Sequence, residues 1–290
     1  MQYVIYIVFR AFVLLFALIP FRVLYILSDG IYYLIYYVFK YRKVVVYQNL
    51  TNSFPEKSPK EIDAIAKKFY RHLCDIMLES IKGFTIRKKQ IIKRYKIFNM
   101  DVCDKFFKQN RNLIWAGGHI GNWEWLTQAF RYFTEYGGAG LYMPLSNKYL
   151  DAYIRNHRKK FNADLISVKN SPMVFTLKRD KPYGVAMITD QSPSNLKKSY
   201  WIKFLNQETA WLHGLEFYAR YYDLPVVFFY MKRVKRGHYE IFINPLVDSP
   251  KECRDGEITE KFVRRLEEVI IDDPSIWLWS HRRWKHKRED

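Results

Sequence analysis

Cysteine is scarce in this 290-residue chain. Cys74, Cys103 and Cys253 are an odd number with no close pair, which excludes a disulfide framework and a thiolate zinc site and points to a reducing compartment. The histidines lack metal-ligand spacing: His72, His119, His157, His213, His238, His281 and His286 form no His-x-His or His-x-x-x-His pair, so no metal is expected. There is no glycine-rich phosphate loop of the P-loop or dinucleotide type, no internal repeat and no low-complexity segment. Acidic residues are few beside basic ones, 29 against 48, leaving a formal net charge of +19. An excess of that size implies an acidic partner: anionic lipid head groups, an acidic protein or nucleic acid.

Charge is also nearly absent from the first 39 residues, where only Arg10, Arg22 and Asp29 interrupt a run of Val, Ile, Leu, Phe and Tyr. A membrane span needs about 20 apolar residues. Tyr3 to Phe21 is nearly that long, with Pro20 marking a break, and Ile31 to Phe39 is a shorter, Tyr-rich run suited to the lipid–water interface. Met1 lacks a basic leader and Leu18-Ile19-Pro20 is a poor cleavage site, so the segment reads as an uncleaved anchor. Lys40, Arg42 and Lys43 follow it directly, which puts the remainder on the cytoplasmic side. The expected organisation is a membrane anchor or interfacial segment over 1–43 and one globular domain over 44–290.

The globular part predicts an α/β fold, a central mixed sheet flanked by helices. Ser58-Pro59-Lys60-Glu61 is a capping box that opens a helix with apolar positions at Ile62, Ile65, Phe69, Leu73, Ile76, Met77 and Ile81. Strands are expected at 112–115, 139–143, 164–168, 183–189, 201–204, 225–231 and 239–243, with helices between several of them. In such sheets ligands lie beyond the carboxyl ends of the strands. His119 follows one such end and Asp190-Gln191 another.

The most informative stretch is Gly117-Gly118-His119-Ile120-Gly121-Asn122-Trp123-Glu124-Trp125. The glycines end a strand, and Asn122 is placed to cap a helix through Trp125, Leu126, Ala129 and Phe130. Five residues apart on one helix would set His119 and Glu124 roughly 140° apart. They meet only if the helix starts between them, and then Glu124 is expected to orient His119 as a base. At the C-terminus, Trp277-Leu278-Trp279-Ser280-His281-Arg282-Arg283-Trp284-Lys285 interleaves aromatics with basic residues, a pattern suited to an interface with lipid or nucleic acid.

Gly118 to Glu124, then Asp190-Gln191, then Trp279 to Lys285 resemble the three successive signatures of the late acyltransferases of lipid A biosynthesis, the lauroyl and myristoyl transferases of Gram-negative bacteria. The likeness includes the N-terminal anchor and runs over nearly the whole chain. The broader glycerolipid acyltransferases share only a His-x-x-x-x-acid core, and Glu124 is the acid that the lipid A family prefers. The resemblance implies an enzyme of the bacterial inner membrane, with its catalytic domain facing the cytoplasm. It also implies a site arginine at Arg158, with Arg155 as the rival position.

The implied reaction moves a fatty acyl chain from a thioester to a hydroxyl of a membrane lipid. His119 would act as general base and Glu124 would hold it. No Ser or Cys stands in a nucleophile elbow, which favours direct attack by the acceptor. Backbone N–H groups at Gly121, Asn122 and Trp123 are candidate oxyanion donors, and Asp190 and Gln191 candidates for positioning site residues or the acceptor. No cofactor is expected beyond the acyl thioester, on acyl carrier protein or coenzyme A. The expected partners are a lipid acceptor, acyl carrier protein and an anionic membrane surface, without nucleic acid. A lipid A precursor leads as acceptor, although Ser280 stands where lipid A enzymes often have Leu and relatives acylate aminolipids. A membrane-anchored binder of acidic polymers fits the charge but gives no reason for the His119 motif, and an acyl-ester hydrolase would use the same base with water.

Overall fold

The computed structural model describes residues 1–197 and 199–288. The chain opens with helix α1 (Gln2–Leu18) and α2 (Phe21–Tyr33), which runs on through one π-helical turn, Leu34–Val38. Then come α3 (Lys43–Ser53) and the long α4 (Pro59–Gly83), whose start carries the expected capping box between Ser58 and Glu61. Next are α5 (Lys88–Arg94), β1 (Tyr95–Phe98), α6 (Asp101–Lys108), β2 (Leu113–Gly117), α7 (Leu126–Phe133), β3 (Gly137–Tyr142), α8 (Lys148–Lys159), β4 (Ala163–Ser167) and β5 (Tyr183–Ile188). The chain ends with β6 (Ser199–Phe204), β7 (Gln207–Leu212), α9 (Gly214–Tyr222), β8 (Val226–Lys235), β9 (His238–Val247) and α10 (Glu257–Asp272).

Among the described residues seven strands form one mixed sheet in the order β1-β9-β8-β2-β5-β3-β4, in which β8 and β9 pair antiparallel and the other neighbours parallel. The central strand β2 is buried on both faces: Leu113 and Trp115 point into one core, Ile114 and Ala116 into the other. The expected strands all form, but the one near 201–204 leaves the main sheet and pairs with β7 in a separate two-stranded hairpin. The edge strand β1 and β7 itself gave too little apolar alternation to be expected.

Pro20 has no N–H to continue a helix and forces Ile19 into an extended conformation (ψ 118°), so α1 and α2 meet at a bend of 120°. Among the described residues no single helix is long and apolar enough to cross a membrane. The bent pair packs on α4 through a polar stripe spaced four and three residues apart. Ser28 donates to Asp75 (2.6 Å), Tyr25 donates to Glu79 (2.7 Å), and Lys82 Nζ donates to the terminal carbonyls of α1 at Phe16, Ala17 and Ile19 (3.1, 2.7 and 2.8 Å). A cation there complements the negative end of the α1 dipole. The outer faces of both helices expose Val8, Leu15, Leu18 and Ile26, and Phe39 is exposed just past the π-helical turn.

Candidate active site

The parallel register of β2 and β5 builds the site. Leu113 pairs with Gly184 and so on to Gly117 with Ile188, and two residues past each strand end come His119 and Asp190. Their Nδ1 and Oδ1 atoms meet at 2.5 Å, while Asp190 Oδ2 accepts from the His119 backbone N–H (2.8 Å) and from Trp277 Nε1 (2.8 Å). Gly118 makes this approach possible: a Cβ there would lie 3.2 Å from Asp190 Oδ2 and 2.7 Å from Leu266. Burial works against charge on His119, yet the charge and hydrogen bond of Asp190, aided by the charge of Glu124, outweigh it and raise the imidazole pKa. Asp190 is shifted the other way: burial disfavours its charge, but the His119 ring, the His119 N–H and Trp277 hold the carboxylate low. With Nδ1 committed to Asp190, Nε2 is left as the acceptor of the ring, and Gln191 Nε2 donates to it across 3.3 Å.

The sequence-based expectation that Glu124 orients His119 is therefore corrected. Glu124 Oε2 instead accepts from Arg158 Nη2 (2.7 Å), and Arg158 Nη1 donates to Thr127 Oγ1 (2.8 Å) and the Glu124 carbonyl (3.2 Å). The helix begins later than the sequence suggested, at Leu126, with a turn over 123–125 in between, so Glu124 sits before the helix and faces α8. Arg155, the rival arginine, is paired with Asp151 at 3.4 Å.

Asn122 caps that turn, accepting from the Trp125 N–H (3.1 Å), but its side chain is fully buried and bonded to Glu79 (2.6 Å), away from the pocket. Gly121 has φ +62°, a left-handed conformation that a Cβ 2.9 Å from Met231 would also block, and its N–H is committed to the Ile276 carbonyl (3.1 Å). It is thus unavailable as an oxyanion donor. Asp190 lies beneath the histidine. Trp123, Gln191, Glu124 and Arg158 do line the cavity beside His119.

That cavity has a volume of about 850 Å³ and runs from His119 between β3, β5 and α7, walled by Trp115, Leu126, Phe130, Leu141, Leu165 and Met187. It lies toward the upper end of the ~300–1,000 Å³ of small-molecule sites. The C-terminal aromatics are a correction as well: Trp277 and Trp279 are buried rather than interfacial, and Arg283, also buried, packs structurally, stacking on Trp211 (4.4 Å) while donating to the Ala210 carbonyl. Trp277 escaped notice as a site residue because a tryptophan's reach to a distant carboxylate leaves no mark in sequence. Among the described residues no cluster of His, Cys, Asp and Glu suits a metal.

A histidine–carboxylate pair at the end of a parallel strand, opening on a long apolar cavity, suits transfer of an aliphatic acyl group. The bacterial lipid A biosynthesis acyltransferase model matches residues 1–286, and the chain belongs to that family. It is also 24% identical over 275 residues to the lipid A biosynthesis lauroyltransferase of Escherichia coli (strain K12), an alignment covering 93% of this chain and 88% of that protein.

Proposed function

We propose that this acyltransferase moves a fatty acyl chain from a thioester, carried by acyl carrier protein, onto a hydroxyl of a membrane lipid, with a lipid A precursor as the leading acceptor. The observation that carries the reading is the His119–Asp190 pair beside the apolar cavity, with Nε2 left as an acceptor that Gln191 meets across 3.3 Å. The acyl tail occupies the cavity. His119 Nε2 takes the acceptor's proton as its oxygen attacks the thioester carbonyl, and Asp190 stabilises the imidazolium. The C–S bond breaks, the imidazolium returns the proton to the leaving thiolate, and an ester and a free thiol result. Arg158, held by Glu124 and Thr127, keeps positive charge beside the reacting carbonyl.

The α1–α2 pair supports a membrane-bound enzyme whose apolar helices lie in the face of the inner membrane on its cytoplasmic side. The exposed apolar residues, the bend of 120° and the net charge of +19 favour an interfacial seat on anionic lipid over a span. Cavity-lining Met143 and Leu145 are also exposed, and they precede Ser146 and Asn147, which bond Gln2 at the start of α1. The acceptor would then reach the cavity from the lipid surface. The test is incubation of purified enzyme with acyl carrier protein thioester and a lipid A precursor in vesicles. Acylated precursor by mass spectrometry is expected; free fatty acid alone would identify a hydrolase, and acylation only of an aminolipid or lysophospholipid would reassign the acceptor.

A further inference from the structure

Glu79 is a fully buried carboxylate near the C-terminal end of α4, and among the described residues no lysine or arginine pairs with it. Burial raises its pKa against the bonds that hold it. A carboxyl group in that setting is costly unless donors surround it, and three do. Oε1 accepts from Tyr25 OH of α2 (2.7 Å); Oε2 accepts from Tyr239 OH (2.8 Å) and from Asn122 Nδ2 (2.6 Å). The Glu79 carbonyl also accepts from Trp125 Nε1 (2.7 Å), and Phe21, at the head of α2, meets the same indole edge to face at 6.0 Å.

The direction of these bonds is informative. The Trp125 N–H fixes Asn122 Oδ1 as an acceptor, so Nδ2 must point to Glu79 and needs an acceptor there. Asn122 lies between His119 and Glu124, and Trp125 follows Glu124. The loop that presents both site residues is therefore pinned at two points to one residue of α4, and that residue's other oxygen is held by the N-terminal helix pair.

We propose that Glu79 is a positioning residue for the acyl-transfer site. Through Asn122 and Trp125 it sets the 119–125 loop, and through Tyr25 it ties that setting to the docked α1–α2 pair. Only the kinetic arm of the test rests on the acyl-transfer reading.

The test uses the full-length protein in vesicles and reads two quantities, hydrogen exchange of the 119–126 amides and steady-state kinetics. Asn122→Asp keeps the acceptor for Trp125 but sets carboxyl against carboxyl. It should speed exchange of this segment and lower kcat by about 10²-fold, as expected for a small misplacement of reacting groups, with KM for the acyl donor little changed. Adding Glu79→Gln restores a donor opposite the new carboxylate and should return exchange and kcat toward wild type. Tyr239→Phe removes one donor from the same carboxylate without touching the loop and should disturb exchange and kcat less than Asn122→Asp does. The inference is overturned if Asn122→Asp exchanges and turns over normally, if the double variant shows no recovery, or if Tyr239→Phe is as damaging as Asn122→Asp. Should wild type transfer no acyl group, the exchange pattern of the three variants still decides the positioning role.

Discussion

Both oxygens of Asp190 are occupied, one by the His119 ring and the other by the His119 N–H and Trp277, so the carboxylate has no freedom to turn away. Asp190→Asn should lower kcat by about 10²- to 10⁴-fold, because an amide neither enforces the tautomer nor stabilises the imidazolium. The raised His119 pKa gives the sign of the pH effect. In the proposed mechanism His119 reacts as a neutral base, so kcat/KM should fall as pH drops through a value above 6.5, and in Asp190→Asn that acidic limb should move to lower pH. An unmoved limb would assign it to another group. Glu124 acts on a different partner. Glu124→Gln and Arg158→Gln should each lose about 10- to 10²-fold, the worth of one charge-assisted hydrogen bond of ~1.5–3 kcal/mol. The double variant should lose little more than either alone. Additive losses would mean that the two residues serve separate steps.

At the level of elements, β3 and β5 wall the cavity beside His119. Gly140 on β3 lines the cavity, and a Cβ there would meet only Ala186 O and Leu165 Cδ2, both at 3.9 Å, which is ordinary contact. Gly140→Leu should therefore fold normally and place its side chain in the cavity proposed to take the acyl chain. The expected outcome is a shift to shorter transferred chains, measured by mass spectrometry of products from a mixed-length donor pool. An unchanged chain-length profile with a normal melting temperature would show that the acyl chain lies elsewhere.

For the whole molecule, the apolar outer face of α1 and α2 and the net charge of +19 act together. The protein should stay with membranes after a high-salt wash, since apolar burial is not screened, whereas a basic patch alone would release it. Recovery in the soluble fraction after salt would defeat the membrane assignment. Brominated lipids should quench a fluorophore at Val8 and one at Ile26 to similar shallow depths; deep quenching at one and none at the other would favour a span.

The α/β class, the main strands and the capping box of α4 were legible in the amino-acid chain, because hydrophobic period and caps are local properties. The sequence also singled out His119, Glu124, Asp190 and Gln191, whose motifs are short, while Arg158, with Arg155 as its rival, came only from the family resemblance. It mispaired them, since a spacing of five residues is legible in a chain and a strand register is not. Tertiary structure alone joined His119 to Asp190, through the match of Gly117 with Ile188, and turned Glu124 toward Arg158. It likewise folded α1 and α2 onto α4 and brought Trp277 and Glu79 behind the site. These contacts join residues more than 30 positions apart, and only the packed sheet and its flanking helices fix their distances.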